Sequence, residues 1–196
     1  VPSVGVVAVV LHYALFVYQH AVNIPYADDI LDMLQVLNLT VHANDWQETF
    51  GLLYAQYFNH RTLSNRLFYY LVLLATGEVN FRTTVFLANL VLPLLLMLLY
   101  LTVRHQTHRW LVLFSAALIL FGLRTYELSF WAAPMDDMYV YVYGFASLIC
   151  LRNVRLVRFV AALIFASLGT FTLANGQLIW LVGFGSLLHQ SLILRR

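Results

Sequence analysis

The sequence predicts an all-α, polytopic membrane helix bundle with two short surface helices after the first span. Three observations carry that expectation. Apolar residues make up 62% of the 196-residue chain and charged residues only 10%, whereas soluble domains run at about 45–50% and about 25%. The mean hydropathy is +0.78, and the apolar residues fall into runs of about the length that crosses a bilayer. Five of the 9 acidic residues (Asp28, Asp29, Asp32, Asp45 and Glu48) crowd into residues 23–65, and a carboxylate in so apolar a chain must reach water or a partner. The expectation is one transmembrane domain over residues 1–196, with about six to seven membrane segments and a polar external loop at 23–65. The net charge of +2 is too small to suggest a nucleic-acid partner. Cys150 is the sole cysteine, so no intrachain disulfide forms.

Residues 4–22 form the first span. No small-residue cleavage site follows them, so they read as a retained helix rather than a signal peptide. Pro25 stops that helix, because the residue before a proline is pushed out of helical geometry. Asp28 and Asp29 open a short amphipathic helix with Ile30, Leu31, Leu34 and Leu37 on one side. Asp45, with Glu48 three residues on, starts a second one through Leu52, Leu53 and Tyr57 in the manner of a capping box. Residues 67–76 are apolar but short for a span. Residues 83–103 are long enough, with Asn89 and Pro93 inside. Apolar runs at 110–123, 138–151, 160–173 and 178–194 follow, separated by loops at 124–137 and 174–177 and by a basic turn at Arg152, Arg155 and Arg158. The Lys/Arg bias of short loops puts Arg104, Arg109, the basic turn and Arg195/Arg196 on the cytoplasmic side. If 67–76 only dips into the membrane, all the acidic loops share the outer face. If it crosses, residues 23–65 lie opposite Asp136 and Asp137. Its shortness favours the dip.

Adjacent carboxylates at Asp28 and Asp29 suit a general base, a stabiliser of developing positive charge, or a divalent-cation site. The plainer alternative is that Asp28 caps a helix and Asp29 complements its dipole. Asn59, His60 and Arg61, with Arg66 behind them, suit a phosphate or carboxylate, since arginine presents a planar fork and histidine a switchable donor. Snorkelling at a helix entrance is the other reading of Arg66. Arg124 is either a further substrate contact or the partner of Glu127, Glu78 pairs with Arg82, and His12 and Asn89 join helices inside the membrane. In Asn175-Gly176-Gln177, glycine permits a tight turn and Gln177 can hydrogen-bond a sugar. No P-loop, dinucleotide fingerprint, HExxH, CxxC or GxSxG motif occurs.

The order of a span, Asn23-Ile-Pro-Tyr-Ala-Asp28-Asp29, two surface helices, Gln56-Tyr-Phe-Asn59-His60-Arg61 and further spans resembles bacterial membrane glycosyltransferases of the GT-C fold. The segment Phe171-Thr-Leu-Ala-Asn175-Gly176-Gln177-Leu-Ile-Trp180 is similar to one in the same group. The resemblance corresponds to the N-terminal catalytic half of a typical member. It implies a polyprenyl-phosphate-linked sugar donor, a lipid or glycan acceptor, Asp28 or Asp29 as base or metal-binding acid, and His60 and Arg61 at the donor phosphate. It also implies an inner-membrane location with the site facing the periplasm. The alternatives are a polytopic transporter of a lipid or glycan and a scaffold subunit without chemistry.

Overall fold

The computed structural model describes residues 2–27, 29–57, 60–153 and 155–194, with the backbone alone for residues 60, 61, 125, 134–136, 193 and 194. The chain is almost wholly helical, as the composition predicts, and divides into two compact units. One comprises residues 1–35 and 69–136, the other residues 36–68 and 137–196.

In the first unit, α1 (Pro2–His20) is an uninterrupted apolar helix. Two further helices, α5 (Phe81–Asn89) and α6 (Val91–Val103), run on through Leu90 as one largely apolar stretch of 23 residues. α1 and this 23-residue stretch are the two helices of the described chain long and apolar enough to cross a membrane. Contacts along α1 fix the directions of its neighbours. Tyr18 stacks on Phe86 and Tyr13 bonds Asn89, so α5–α6 runs antiparallel to α1. The Asn23 side chain accepts a 2.7 Å bond from the Phe81 N–H, joining the end of α1 to the start of α5. α7 (Arg109–Leu120) returns parallel to α1, with Phe114 against Gly5 and Phe121 edge-on to Tyr13.

Residues 124–137, expected as a loop, instead hold a 3-10 turn (Leu123–Thr125), α8 (Tyr126–Phe130) and α9 (Ala132–Asp137). Phe130 packs on Phe16, and the Ser129 carbonyl accepts from Asn89. Asn89 thus joins three helices, as expected of an amide inside a span. Its partner on α1 is the buried Tyr13, whereas His12 is exposed. Nor does Arg82 pair with Glu78. It donates to the Tyr18 carbonyl at 3.0 Å and lies over the Tyr18 and Phe86 rings.

In the second unit, α10 (Tyr139–Leu151) and α11 (Leu156–Thr172) form an antiparallel hairpin, with Tyr143 over Phe165 and the Ser147 hydroxyl donating to the Ala162 carbonyl. α12 (Leu178–Leu194) folds back along both, with Ile179 between Gly144 and Gly169. The turn before it is a buried contact at Gly176, where a Cβ would collide with the backbone of Gly169. Glycine is therefore required there for close approach.

The polar segment forms a π-helical turn (Asp29–Leu34) running into α2 (Gln35–Val41), and then α3 (Trp46–Tyr54). Asp45 caps α3, its carboxylate accepting from Glu48 N–H at 2.8 Å, while Glu48 reaches back to Asn44. α3 stops at Tyr54, short of the expected Tyr57, because Gln56–Tyr57 pairs with His60–Arg61 as an antiparallel hairpin, β1 and β2. α4 (Leu63–Thr76) contains the division between the units. Its 14 residues extend about 21 Å, less than the roughly 30 Å of a hydrocarbon core.

Candidate active site

The site is built on the segment leaving α1. Ala27 adopts a left-handed backbone (φ 47°), uncommon for a residue with a Cβ. The chain then turns into the π-helix, a rare form that recurs at functional positions. Asp29 and Tyr26 close this turn reciprocally. The Asp29 N–H donates to the Tyr26 carbonyl at 3.0 Å, and the Tyr26 N–H donates to Asp29 Oδ2 at 3.1 Å. From α4, the Tyr69 hydroxyl donates to Asp29 Oδ1 at 3.2 Å. Asp29 is 3% exposed, Asp32 2% and Tyr69 1%. A carboxylate out of water is costly unless it is hydrogen-bonded, and here two donors hold Asp29 in one orientation. Tyr26 also carries an aromatic pair: Trp131 meets its ring edge-on, with centroids 5.2 Å apart and planes at 87°.

Compared with protein-family models, curated proteins and solved structures, the chain finds no match.

Of the residues expected at a site, Asp28 and Asn59 lie outside the described residues. Asp29 belongs to the first unit, whereas His60 and Arg61 form β2 of the second, beside α11. Residues 60–61 are extended and pair with Gln56–Tyr57. Arg66 is 2% exposed and has a role different from snorkelling. Its Nη1 donates to the carbonyls of Leu52, Leu53 and Ala55 at 3.2, 3.4 and 2.5 Å, so it closes the C-terminal end of α3, where carbonyls lack helical partners. On the same unit, Asn65 donates to Asp137 at 3.0 Å. Arg124 is exposed on its 3-10 turn, and among the described residues no ion pair joins it to Glu127. Gln177 is exposed at the end of the 3-10 turn Ala174–Gln177, the neighbouring Asn175 lining an apolar groove of about 240 Å³ between α10 and α12.

Tyr26, Asp32 and Tyr69 are residues that sequence reasoning left out of the site. Tyr69 sits in an apolar run where nothing but its hydroxyl distinguishes it, and the tie between Tyr26 and Asp29 appears only once the turn is folded. As for a metal, among the described residues no three His, Cys, Asp or Glu side chains come together.

Proposed function

We propose that the chain is a membrane-embedded glycosyltransferase of GT-C type, in which Asp29 acts as the catalytic base. The observation that carries this reading is the buried Asp29 carboxylate, held by Tyr69 and by the Tyr26 N–H on a π-helical turn behind the strained Ala27. A plain helix cap would sit at the surface and accept from its own helix. This carboxylate is buried and accepts instead from the preceding loop and from a side chain 40 residues away. Aspartate oriented in this way takes the proton of an acceptor hydroxyl. The hydroxyl oxygen then forms a bond to the anomeric carbon, and the bond from that carbon to the carrier phosphate breaks with its electron pair on the phosphate.

A lipid setting is supported by how much apolar surface the helices leave uncovered. On α1, Val4, Val7, Leu11 and Leu15 are more than half exposed. Ile119 on α7 and Val157 on α11 are each 80% exposed. In water such surface is a liability; against acyl chains it is unremarkable. The groove lined by Tyr141, Phe145, Leu178 and Val182 suits a single lipid chain. The polyprenyl-phosphate-linked sugar donor, the role of His60 and Arg61 at its phosphate, a lipid or glycan acceptor, and an inner-membrane site facing the periplasm complete the reading.

The test is transfer from a polyprenyl-phosphate-linked sugar by membranes carrying Asp29→Asn, with Asp45→Asn as control. Asparagine preserves the shape, and with its oxygen toward the Tyr26 N–H it keeps that bond while its amide nitrogen donates to the Tyr69 hydroxyl, but it removes the base. Loss of a general base typically lowers turnover about 10²–10⁴-fold, so Asp29→Asn falls by that amount while expression and Asp45→Asn activity stay near normal. Full activity in Asp29→Asn sinks the assignment.

A further inference from the structure

The loop joining α6 to α7 is closed by its own arginines. The Gln106 N–H donates to the Val103 carbonyl at 2.9 Å and the Arg109 N–H to the Gln106 carbonyl at 3.3 Å, so the chain reverses in two successive turns. Across them, Arg109 Nη1 donates to the Arg104 carbonyl at 2.8 Å, and Arg104 Nε donates to His105 Nε2 at 3.1 Å. Two guanidinium groups are thereby held on one short, exposed loop, and among the described residues neither pairs with a carboxylate. Topology explains why. Helices α1, α5, α6 and α7 contain no Asp or Glu. In sequence, the acidic residues of the first unit follow α1, precede α5 or follow α7. Those are the helix ends that meet near Asn23, and the α6–α7 loop lies at the opposite ends. Like charges gathered in this way repel one another unless an anion shares them. Two aromatic side chains mark the level of the loop. Tyr100 on α6 and Trp110 on α7 pair at 6.3 Å with planes 30° apart, 39% and 40% exposed, and the Arg109 guanidinium lies 6.0 Å over the Trp110 ring. Rings with a polar tip of this kind concentrate at the headgroup level of a bilayer.

We propose that the α6–α7 loop binds the headgroup of an anionic phospholipid, with Arg104 and Arg109 on its phosphate and the Tyr100–Trp110 pair against the top of its acyl chains. The arginine fork matches phosphate oxygens. A soluble anion would use the arginines and leave the exposed aromatic pair without a role, whereas a lipid uses both. A zwitterionic headgroup would bring an ammonium to a loop that offers no carboxylate to receive it, so the net-negative headgroup is preferred. The site rests on the reading of the chain as membrane-embedded and is independent of the role given to Asp29, which lies toward the other end of α1.

The experiment is quenching of Trp110 fluorescence in the full chain, reconstituted in mixed bilayers of phosphatidylglycerol and phosphatidylcholine with bromine on the acyl chains of one lipid or of the other. The same measurement on Trp110→Phe supplies the signal of Trp46, Trp131 and Trp180, which is subtracted. Bromine quenches an indole on contact, so the ratio of the two quenchings reports which lipid sits beside Trp110. Phosphatidylglycerol is expected to be enriched there by roughly fivefold for each arginine, and the preference to fall to near parity in the Arg104→Gln/Arg109→Gln chain. Should that double variant fail to fold, salt decides on the native chain, because exposed charges are screened and the preference must decline as ionic strength rises. A preference that survives the loss of both arginines, or that salt leaves unchanged, overturns the proposal. So does one abolished by inorganic phosphate at constant ionic strength, which assigns the arginines to a soluble anion. Equal quenching by the two lipids removes the headgroup site and leaves the membrane setting in place, whereas quenching by neither removes the membrane setting itself.

Discussion

Arg66 is 2% exposed, and its guanidinium donates to three carbonyls at the end of α3. A guanidinium suits that position because its donors are fixed in a fork and its charge complements the negative end of the helix dipole. Removing it leaves buried acceptors unmet. Arg66→Met is expected to lower stability by about 2–4 kcal/mol, measured by chemical unfolding in micelles, and lysine restores only part of that because its single ammonium cannot reproduce the fork. Stability unchanged in Arg66→Met would deny the cap. The same scale explains why the site was only half legible. Asp29 stands out in the sequence as a charge in an apolar chain. Tyr69 does not, since aromatic residues are plentiful here and only the fold selects the one that meets the acid.

At the scale of elements, the helices were readable because their signals are local. Long apolar runs mark α1 and α5–α6, and Asp45 with Glu48 marks the start of α3. The hairpin of β1 and β2 was hidden because Gln56, Tyr57, His60 and Arg61 carry no alternating apolar pattern, and the pairing involves two residues on each strand. The short helices within 123–137 escaped because five- and six-residue helices are too brief to establish a period. Glycines separate the two kinds of signal. Gly176 reads as a turn residue, yet its place is set by the Gly169 backbone beside it, whereas Gly51 in α3 faces open space. Gly176→Ala is therefore expected to cost about 1–3 kcal/mol by overpacking. Gly51→Ala, by contrast, stabilises α3 by about 0.5–1 kcal/mol through helix entropy. Equal effects of the two substitutions on the unfolding midpoint would contradict this contrast.

On the scale of the whole molecule, the direction of each helix in the first unit decides which loops share an end. The Asn23–Phe81 bond joins the end of α1 to the start of α5, so the loop after α6, with Arg104 and Arg109, lies at the opposite end of the same helices. The Tyr26–Trp131 pair and the Phe16–Phe130 contact bring the segment after α7 to the Asn23 end. In a bilayer this arrangement sets Asp29 and Trp131 on one face and the arginine loop on the other, which is the sidedness expected if α4 does not cross. The measurement closest to the centre of the account is labelling in intact cells by a membrane-impermeant maleimide, on Cys150→Ser protein carrying either Ile24→Cys or Gln106→Cys. Ile24→Cys, five residues before Asp29 and 66% exposed, is expected to label from outside, and Gln106→Cys only after the membrane is opened. Labelling of both from outside, or of Gln106→Cys alone, would contradict a membrane-embedded chain that presents Asp29 at its outer surface.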